Sequence, residues 1–260
     1  MKLHGLLERH PLSLDAQLLA SGEYEYLCND QAVPVFEPWV IFEKNAQRWV
    51  RSERIAAQGN VYIHVLARLD ESAQVTSFEV SWHDWDSKAL IVRGQYEYDQ
   101  GVVRVARQQC NTADKKHPPL LENIRLALGP RRHAAPLFFP LLRIFMGGVI
   151  SGLQAEGGEA EVVIPSIVDP ANTDALLRPL VSLRRATPLN NTAADDVLCF
   201  EYLGDQYQTG SVFRFNRSGL LLGYQWSQDS GQSWQVRLIN LEGRDDLFGF
   251  DLTASPSSGE

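Results

Sequence analysis

The chain has 260 residues, of which 44% are hydrophobic and 22% are charged, so its composition predicts a packed core and excludes global disorder. Its formal net charge of −8 opposes binding to phosphate backbones, and we therefore expect no nucleic-acid partner. Three cysteines without CxxC spacing argue against a disulfide framework, and charged residues interrupt the N-terminal apolar run, so we expect a cytoplasmic protein.

Strand signals dominate the chain as far as Cys110. β-branched and aromatic runs alternate with short polar turns, which is typical of antiparallel hairpins. The turn Asp99-Gln100-Gly101 is a good example, because glycine adopts the positive φ that such turns need. The predicted strands in this part of the chain are 24–27, 39–42, 49–55, 61–69, 75–82, 89–98 and 102–106.

The middle of the chain has a different character. Between positions 111 and 189, prolines interrupt several apolar runs, and such frequent prolines disfavour long helices and central strands. Short helices remain compatible with the spacing at 137–145 and at 172–180, where Asn, Thr and Asp residues offer a cap. We therefore predict an apolar connector with one or two short helices.

The most apolar segment, 134–153, is about long enough to span a bilayer. Prolines and glycines break it, and Arg143 lies in its middle, where a charge costs about 2.5–3.5 kcal/mol at the bilayer centre. We predict no transmembrane segment. Instead, we expect 134–153 to pack against a sheet as part of a soluble fold.

The C-terminal part repeats the strand pattern at 197–203, 212–215, 220–226 and 234–241, and its order of features matches the N-terminal part. The tripeptide Glu-Tyr-Leu ends at Leu27 and again at Leu203, and a gap-free match over a later hairpin aligns Gly59 with Gly231. The separation along the chain is nearly the same for both matches. This near-constant spacing predicts an internal duplication, and a seam between two related units is a usual place for a ligand cavity.

The predicted fold is mainly β, with duplicated antiparallel meander sheets arranged as a β-roll, a sandwich or an open barrel. One or two short helices are expected in the proline-rich middle. All of this forms one domain followed by a disordered tail. The predicted boundaries are a single β domain at 1–254, related units at about 6–70 (extended to 110) and 176–242, a connector at 111–175 and the tail at 255–260.

Meander hairpins of this style resemble those of uncharacterised bacterial β families with a suggested role in glycolipid binding and a spiral β-roll. The resemblance covers architecture and turn style over roughly two-thirds of the chain and includes no diagnostic motif. No residue role is therefore carried over from those families. The resemblance implies a bacterial protein that binds a lipid-like ligand.

Motifs for catalysis and cofactors are scarce. The chain contains no G-x-S-x-G, P-loop or dinucleotide fingerprint and no metal-ligand spacing of histidines, so we predict no cofactor and no metal. The densest polar cluster contains His83, Asp84 and Asp86, an imidazole and two carboxylates that could supply acid and base to a hydrolase or isomerase. Its position between two strands favours a turn in which the aspartates cap the backbone.

Candidate ligand-binding residues come from the apolar middle and the aromatic strands. Arg143 lies among apolar residues, so its guanidinium needs solvent, a carboxylate or an anionic ligand. Aromatic side chains could line a lipid- or sugar-binding face, although a role in the core is the more common one. The aromatic candidates are Trp82, Trp85, Tyr224 and Trp226.

The leading hypothesis is a non-enzymatic binding protein that holds a small apolar or amphipathic, lipid-like ligand between β-sheets. One alternative is a hydrolase or isomerase that uses the His83, Asp84 and Asp86 cluster. The other is a homo-oligomeric interaction module, for example a homodimer, that pairs through exposed strand edges.

Overall fold

The structure is a computed structural model, and within its described residues fifteen strands join into one sheet, which confirms the mainly β class. Side chains are described throughout except at residues 2–4 and 207–210. The predicted tail at 255–260 lies outside the described part of the chain. The described residues are 2–99, 101–110, 120–127, 136–189, 197–204, 207–228 and 231–244.

The first half of the sheet is an antiparallel meander in which each strand pairs with the next one along the chain. The first hairpin turns through Asn29 and Asp30, which both adopt the positive φ of a tight two-residue loop. A helix that the strand pattern did not predict, α1 (Lys2–Arg9), precedes the meander. The strands are β1 (Gln17–Cys28), β2 (Gln31–Lys44), β3 (Gln47–Ala56), β4 (Val61–Leu69), β5 (Val75–Asp84), β6 (Leu90–Asp99), β7 (Val102–Gln109) and β8 (Leu120–Ala127); a 3₁₀ turn (Ala57–Gly59) separates β3 from β4.

The second half forms another meander, and it joins the first half because its last strand pairs antiparallel with β1. Its first strand pairs parallel with the second, and the other neighbours are antiparallel. The elements are β9 (Leu137–Phe138), a 3₁₀ turn (Arg143–Phe145), α2 (Met146–Ala155), β10 (Glu159–Pro165), β11 (Pro179–Pro188), β12 (Val197–Gly204), β13 (Tyr207–Asn216), β14 (Leu221–Ser227) and β15 (Ser233–Gly243).

Within the predicted units 6–70 and 176–242, strands β1–β4 and β12–β15 have the same order and the same antiparallel directions, whereas the first matched segments differ, since residues 6–9 belong to α1 and residues 179–183 to β11. Equivalent residues are also paired at the first hairpin, where Glu25 lies opposite Phe36 and Glu201 lies opposite Val212. Between the third and fourth strands of the two units, the pairing differs by one residue. Tyr62 pairs with Ile55, but its counterpart Trp234 pairs with Trp226, one position before the counterpart of Ile55. The duplication therefore stays a prediction.

The inner face of the sheet encloses the middle segment. Phe138 on β9 packs edge-on against Phe78 on β5 with ring centroids 5.5 Å apart, although these strands are far apart in the sheet order. The sheet is therefore curled around residues 136–155. The described part of the 134–153 run belongs to the main apolar core, as predicted, with Leu142 and Ile150 fully buried. No helix in the described ranges is long and apolar enough to cross a membrane.

The short elements of the middle segment differ from the predicted ones. In 137–145, Pro140 lacks the N–H that a helix interior requires, so helical structure begins only at residue 143 and continues as α2. In 172–180, Asn172 accepts backbone hydrogen bonds from the next turn, but Leu177 adopts φ +57° and stops the helix there. A single turn of backbone replaces the predicted second helix.

Candidate ligand-binding cavity

A cavity of about 330 Å³ lies between β3, β10, β11, β12 and the start of α2, and it opens to solvent beside the exposed side chains of Val168 and Leu180. Three arginines reach it: Arg54, Arg143 and Arg184. No carboxylate belongs to the described residues that line it. Most of the remaining lining is apolar, and it includes Phe139, Leu141, Met146, Ile164, Val168 and Leu180.

A buried carboxylate fixes the first arginine. Glu37 on β2 has no exposed surface, and its Oε2 accepts a hydrogen bond of 2.6 Å from Nε of Arg54 and lies 2.6 Å from Nη2 in the same ion pair. Its Oε1 accepts the backbone N–H of Arg143 at 2.7 Å, and the Tyr26 hydroxyl also donates to the carboxylate. Arg54 Nη2 further donates to the carbonyl of Leu141 at 3.1 Å. Glu37 therefore links β1, β2 and β3 to the segment that carries Arg143.

The protonation states in this network follow from its geometry. Burial lowers the pKa of Arg54, but the facing carboxylate of Glu37 outweighs that effect, and the net pKa is raised above its ordinary value. Burial raises the pKa of Tyr26 far above the ordinary range, so its hydroxyl keeps its proton and acts as a donor. The Arg54 guanidinium is therefore a permanent cation in the cavity wall.

Arg143 lies above an aromatic row on the second meander. Its Cζ is 5.1 Å from the ring centroid of Tyr224, within the range of a cation–π contact. Tyr224 stacks on Phe213 at 4.3 Å and on Trp226 at 5.0 Å, and Trp226 stacks in turn on Trp234 at 5.6 Å. Tyr224 is buried, whereas Trp226 and Trp234 are half-buried. The row therefore leads from the cavity arginine towards solvent.

The third arginine is positioned by a glycine. Arg184 on β11 is buried, and a Cβ built on Gly204 of β12 would overlap its guanidinium. Glycine at residue 204 is thus the residue that makes room for this side chain. The next residue, Arg185, points outwards and pairs with Glu159, with Nε 2.8 Å from Oε2. Alternation along β11 therefore sends one of two consecutive arginines into the cavity and the other to the surface.

Of the residues predicted to bind a ligand, Arg143 lines the cavity, Tyr224 contacts Arg143, and Trp226 follows in the aromatic row. Trp82 is buried on the inner face of β5, within the main core and outside the cavity lining. Trp85 lies in the turn after β5, where the Lys88 ammonium is 3.0 Å from its ring centroid. The structure therefore brings Arg143, Tyr224 and Trp226 together and places both tryptophans of the β5 region elsewhere.

His83 and Asp84 end β5, and Asp86 lies in the turn that follows. Asp84 Oδ1 accepts hydrogen bonds of 2.7 Å from both the backbone N–H and the hydroxyl of Ser87, and these bonds lower the pKa of Asp84. The backbone N–H of Asp86 donates to the side chain of Asn60. Burial lowers the pKa of His83. The geometry matches the turn interpretation, and no described group of His, Cys, Asp and Glu is arranged to hold a metal. Catalysis here stays a hypothesis.

Sequence reasoning missed Arg54, Glu37 and Arg184, although period-2 alternation contained a signal for the first two. Arg54 is in the same phase as Val50, which is buried in the core, and Glu37 is in the same phase as buried Trp39. A charged residue in the inward phase of a strand needs a partner of opposite charge, and Arg54 and Glu37 are partners of each other.

One solved structure has a fold similar to that of this chain. No family model and no curated protein matches the chain. A solved β-barrel-like protein with a domain of unknown function, DUF1849, from Brucella abortus is similar over 88% of this chain and 98% of that one, with 11% identity and a TM-score of 0.51. A DUF1329 family protein from Desulfovibrio piger aligns over 98% and 92%, with 10% identity and a TM-score of 0.14. Because so few residues are identical, the first likeness concerns the fold alone.

Proposed function

We propose that this chain is a non-enzymatic binding protein that holds a small anionic amphiphile in the cavity between Arg54, Arg143 and Arg184. The observation that carries the proposal is the combination of three guanidinium groups with an otherwise largely apolar lining. Such a cavity matches a ligand with a charged head and a hydrocarbon tail. A concave site with a few placed polar groups is the usual form of a small-molecule site.

The charge of the lining selects the head group. Guanidinium groups present planar forks that match carboxylate and phosphate oxygens, and charge-assisted hydrogen bonds of this kind are about twice as strong as neutral ones. Glu37 holds Arg54 in the cavity wall, and Arg143 and Arg184 line the same cavity, so we propose the three guanidinium groups together as the site for the head. A cationic amphiphile would meet three like charges.

The size of the cavity selects the tail. A volume of about 330 Å³ is near the lower end of the roughly 300–1,000 Å³ that ligand pockets span, so the cavity suits one hydrocarbon chain rather than two. The tail would contact Phe139, Ile164 and Leu180. Each buried methylene contributes about 0.8 kcal/mol, so affinity should rise with chain length until the cavity is full.

A glycolipid, the class that the family resemblance implies, would need a place for a sugar. The half-buried Trp226 and Trp234 stack on each other at the solvent end of the aromatic row, and aromatic faces of this kind pack against sugar rings. We include the glycolipid as the more specific version of the proposal. Its test is whether a glycosylated amphiphile binds more tightly than its unglycosylated counterpart.

Binding should be tested on the full chain in two steps. Native mass spectrometry of the purified protein reports a retained amphiphile and the oligomeric state together. After removal of bound lipid, titration with dodecanoate, dodecyl phosphate and dodecyltrimethylammonium, followed by tryptophan fluorescence, separates anionic from cationic heads. We expect both anions to bind and the cation not to bind.

The neighbouring arginines of β11 provide a matched control. Arg184→Met should weaken binding of the anions about tenfold or more, since a hydrogen bond to a charged group contributes about 1.5–3 kcal/mol. Arg185→Met, which changes an outward side chain of the same strand, should leave affinity unchanged. Equal affinity for the anions and the cation, or wild-type affinity in both Arg143→Met and Arg184→Met, would contradict the proposal.

A further inference from the structure

The outer face of the sheet carries a second buried polar cluster, on the opposite side of β3 from the cavity. It consists of Glu53 on β3, Tyr62 and His64 on β4, and His83 on β5, with His10 from the segment after α1 lying over it. We call it the outer histidine cluster. Helix α1 packs beside it through Leu6, which is fully buried and belongs to a small apolar group on the outer face of β2.

The carboxylate of Glu53 anchors the N-terminal segment. It has no exposed surface, and it accepts hydrogen bonds from Arg9 through Nη2 at 2.5 Å and Nε at 3.2 Å. His10 Nε2 is 3.1 Å from the other carboxylate oxygen and 2.9 Å from the Tyr62 hydroxyl, which itself donates to Glu53. Arg51 also holds the segment, because it donates to the carbonyl of His10.

Two imidazole rings are stacked within this anchor. The rings of His10 and His64 are nearly parallel, 16° apart, with centroids separated by 4.0 Å. His64 Nε2 is buried and has no hydrogen-bond partner in the described part of the chain. A proton on His64 would therefore lie in a desolvated position against a second imidazole.

We propose that residues 2–13 form an acid-released latch, in which protonation of His64 expels the His10 ring and detaches helix α1 while the rest of the sheet stays folded. Detachment would uncover the outward apolar side chains Val40, Phe42 and Trp49 that the latch now covers. The device is independent of the cavity, because Glu53 and His64 face away from it.

The direction of the pH effect follows from the groups around His64. Its pKa is lowered from 6.5 to about 3, chiefly by burial and further by His10, Arg51 and His83, while Glu53 opposes the shift. Beyond His83, Arg93 lowers the pKa of that imidazole as well. A histidine with a depressed pKa contributes stability that is present above 6.5 and lost as the pH falls. With the His64 pKa restored to 6.5 on release, the latch should open about thirtyfold more readily at pH 5 than at neutral pH.

Glu53 does not drive the release in this pH range. Burial raises its pKa, but hydrogen bonds from His10, Arg9 and Tyr62 outweigh that effect and lower the pKa below its ordinary value of 4.5. Its contribution to docking is therefore present above 4.5 and is lost only at more acidic pH. Between pH 7.5 and 5, the group that senses the pH is therefore His64.

Hydrogen exchange of the full chain at pH 7.5, 6 and 5, expressed as protection factors, tests the latch. In the wild type, peptides from α1 should lose about thirtyfold in protection between pH 7.5 and 5, whereas peptides from β13 and β14 should keep theirs. His64→Gln removes the titrating group, and His64→Phe removes it while keeping a ring for stacking. Both variants should show no selective loss at α1.

His83→Gln is the matched control, since His83 is a neighbouring outer-face histidine with a lowered pKa that is not stacked on His10. Because burial is the largest cause of the depressed pKa of His64 and His83 is the last of the named ones, His83→Gln should retain most of the pH-dependent loss at α1. The latch is refuted if α1 protection in the wild type does not change relative to β13 and β14. It is refuted equally if both His64 variants keep the full pH dependence.

Discussion

The buried pair of Glu37 and Arg54 allows a quantitative test of the network around the cavity. Glu37 has no exposed side-chain surface and that of Arg54 is only 15% exposed, so solvent screens their interaction weakly. Removing one partner of a buried pair typically costs about 3–5 kcal/mol, because the other charge is left uncompensated. Tyr26 and the backbone N–H of Arg143 still donate to Glu37, which places the cost of Arg54→Met near the lower end, about 3 kcal/mol.

The double-mutant cycle separates the pair from its surroundings. Glu37→Leu should cost about 4 kcal/mol, because it leaves the Arg54 guanidinium, the Tyr26 hydroxyl and the backbone N–H of Arg143 without their acceptor. In the double variant no buried charge is left unpaired, so it should be about 3 kcal/mol less destabilised than the sum of the two single variants. Urea unfolding followed by tryptophan fluorescence measures all four proteins, provided that the m value stays constant.

An exposed pair supplies the reference for this cycle. Arg185 and Glu159 pair across the neighbouring strands β10 and β11, with side chains 56% and 39% exposed. Surface pairs of this kind couple by about 0.2–1 kcal/mol. If the coupling between Glu37 and Arg54 is no larger than the coupling of this surface pair, the reasoning about the cavity wall is wrong.

Two further predictions concern positions that support the proposals. Gly204→Ala should displace the Arg184 guanidinium and weaken dodecyl phosphate binding in the fluorescence titration. Gly59→Ala is the control, because the nearest atom to an added Cβ is 3.8 Å away, and it should leave the affinity unchanged. Unchanged affinity in Gly204→Ala would show that Arg184 does not contact the ligand. Leu6→Ala should lower the free energy that docks α1 on the sheet by about 2–4 kcal/mol, measured as lost hydrogen-exchange protection of α1 at pH 7.5. Leu14→Ala, which changes a fully exposed side chain, is the control. Equal effects of the two variants would show that the apolar contact of Leu6 does not hold α1.

The strands could be predicted because their signals are local. At the turn between β6 and β7, Gly101 adopts φ +85°, as the predicted hairpin requires. Helix α1 gave no such signal, since it is only two turns long and depends on the burial of Leu6 against the sheet. Short helices of this kind are stabilised by tertiary contacts, which a local pattern does not contain.

The cavity was predictable only in part. Arg143 is conspicuous because it interrupts an apolar run, and this local contrast identified it as a residue in need of a partner. Arg184 has no such contrast, because it is the first of two consecutive arginines in an ordinary strand, and only the sheet shows which one points inwards. Bringing them together requires the curl of the sheet, which depends on contacts between residues far apart in the sequence.

Strand β3 carries two consecutive ionic residues that are anchored on opposite sides of the sheet. Glu53 points outwards to Arg9 and His10, and Arg54 points inwards to Glu37. A slip of β3 by one residue would exchange these sides, so that each charge would face away from its counter-ion. The misaligned strand would thus lose both ion pairs at once, and the alignment of β3 between β2 and β4 is specified by charge as well as by apolar alternation.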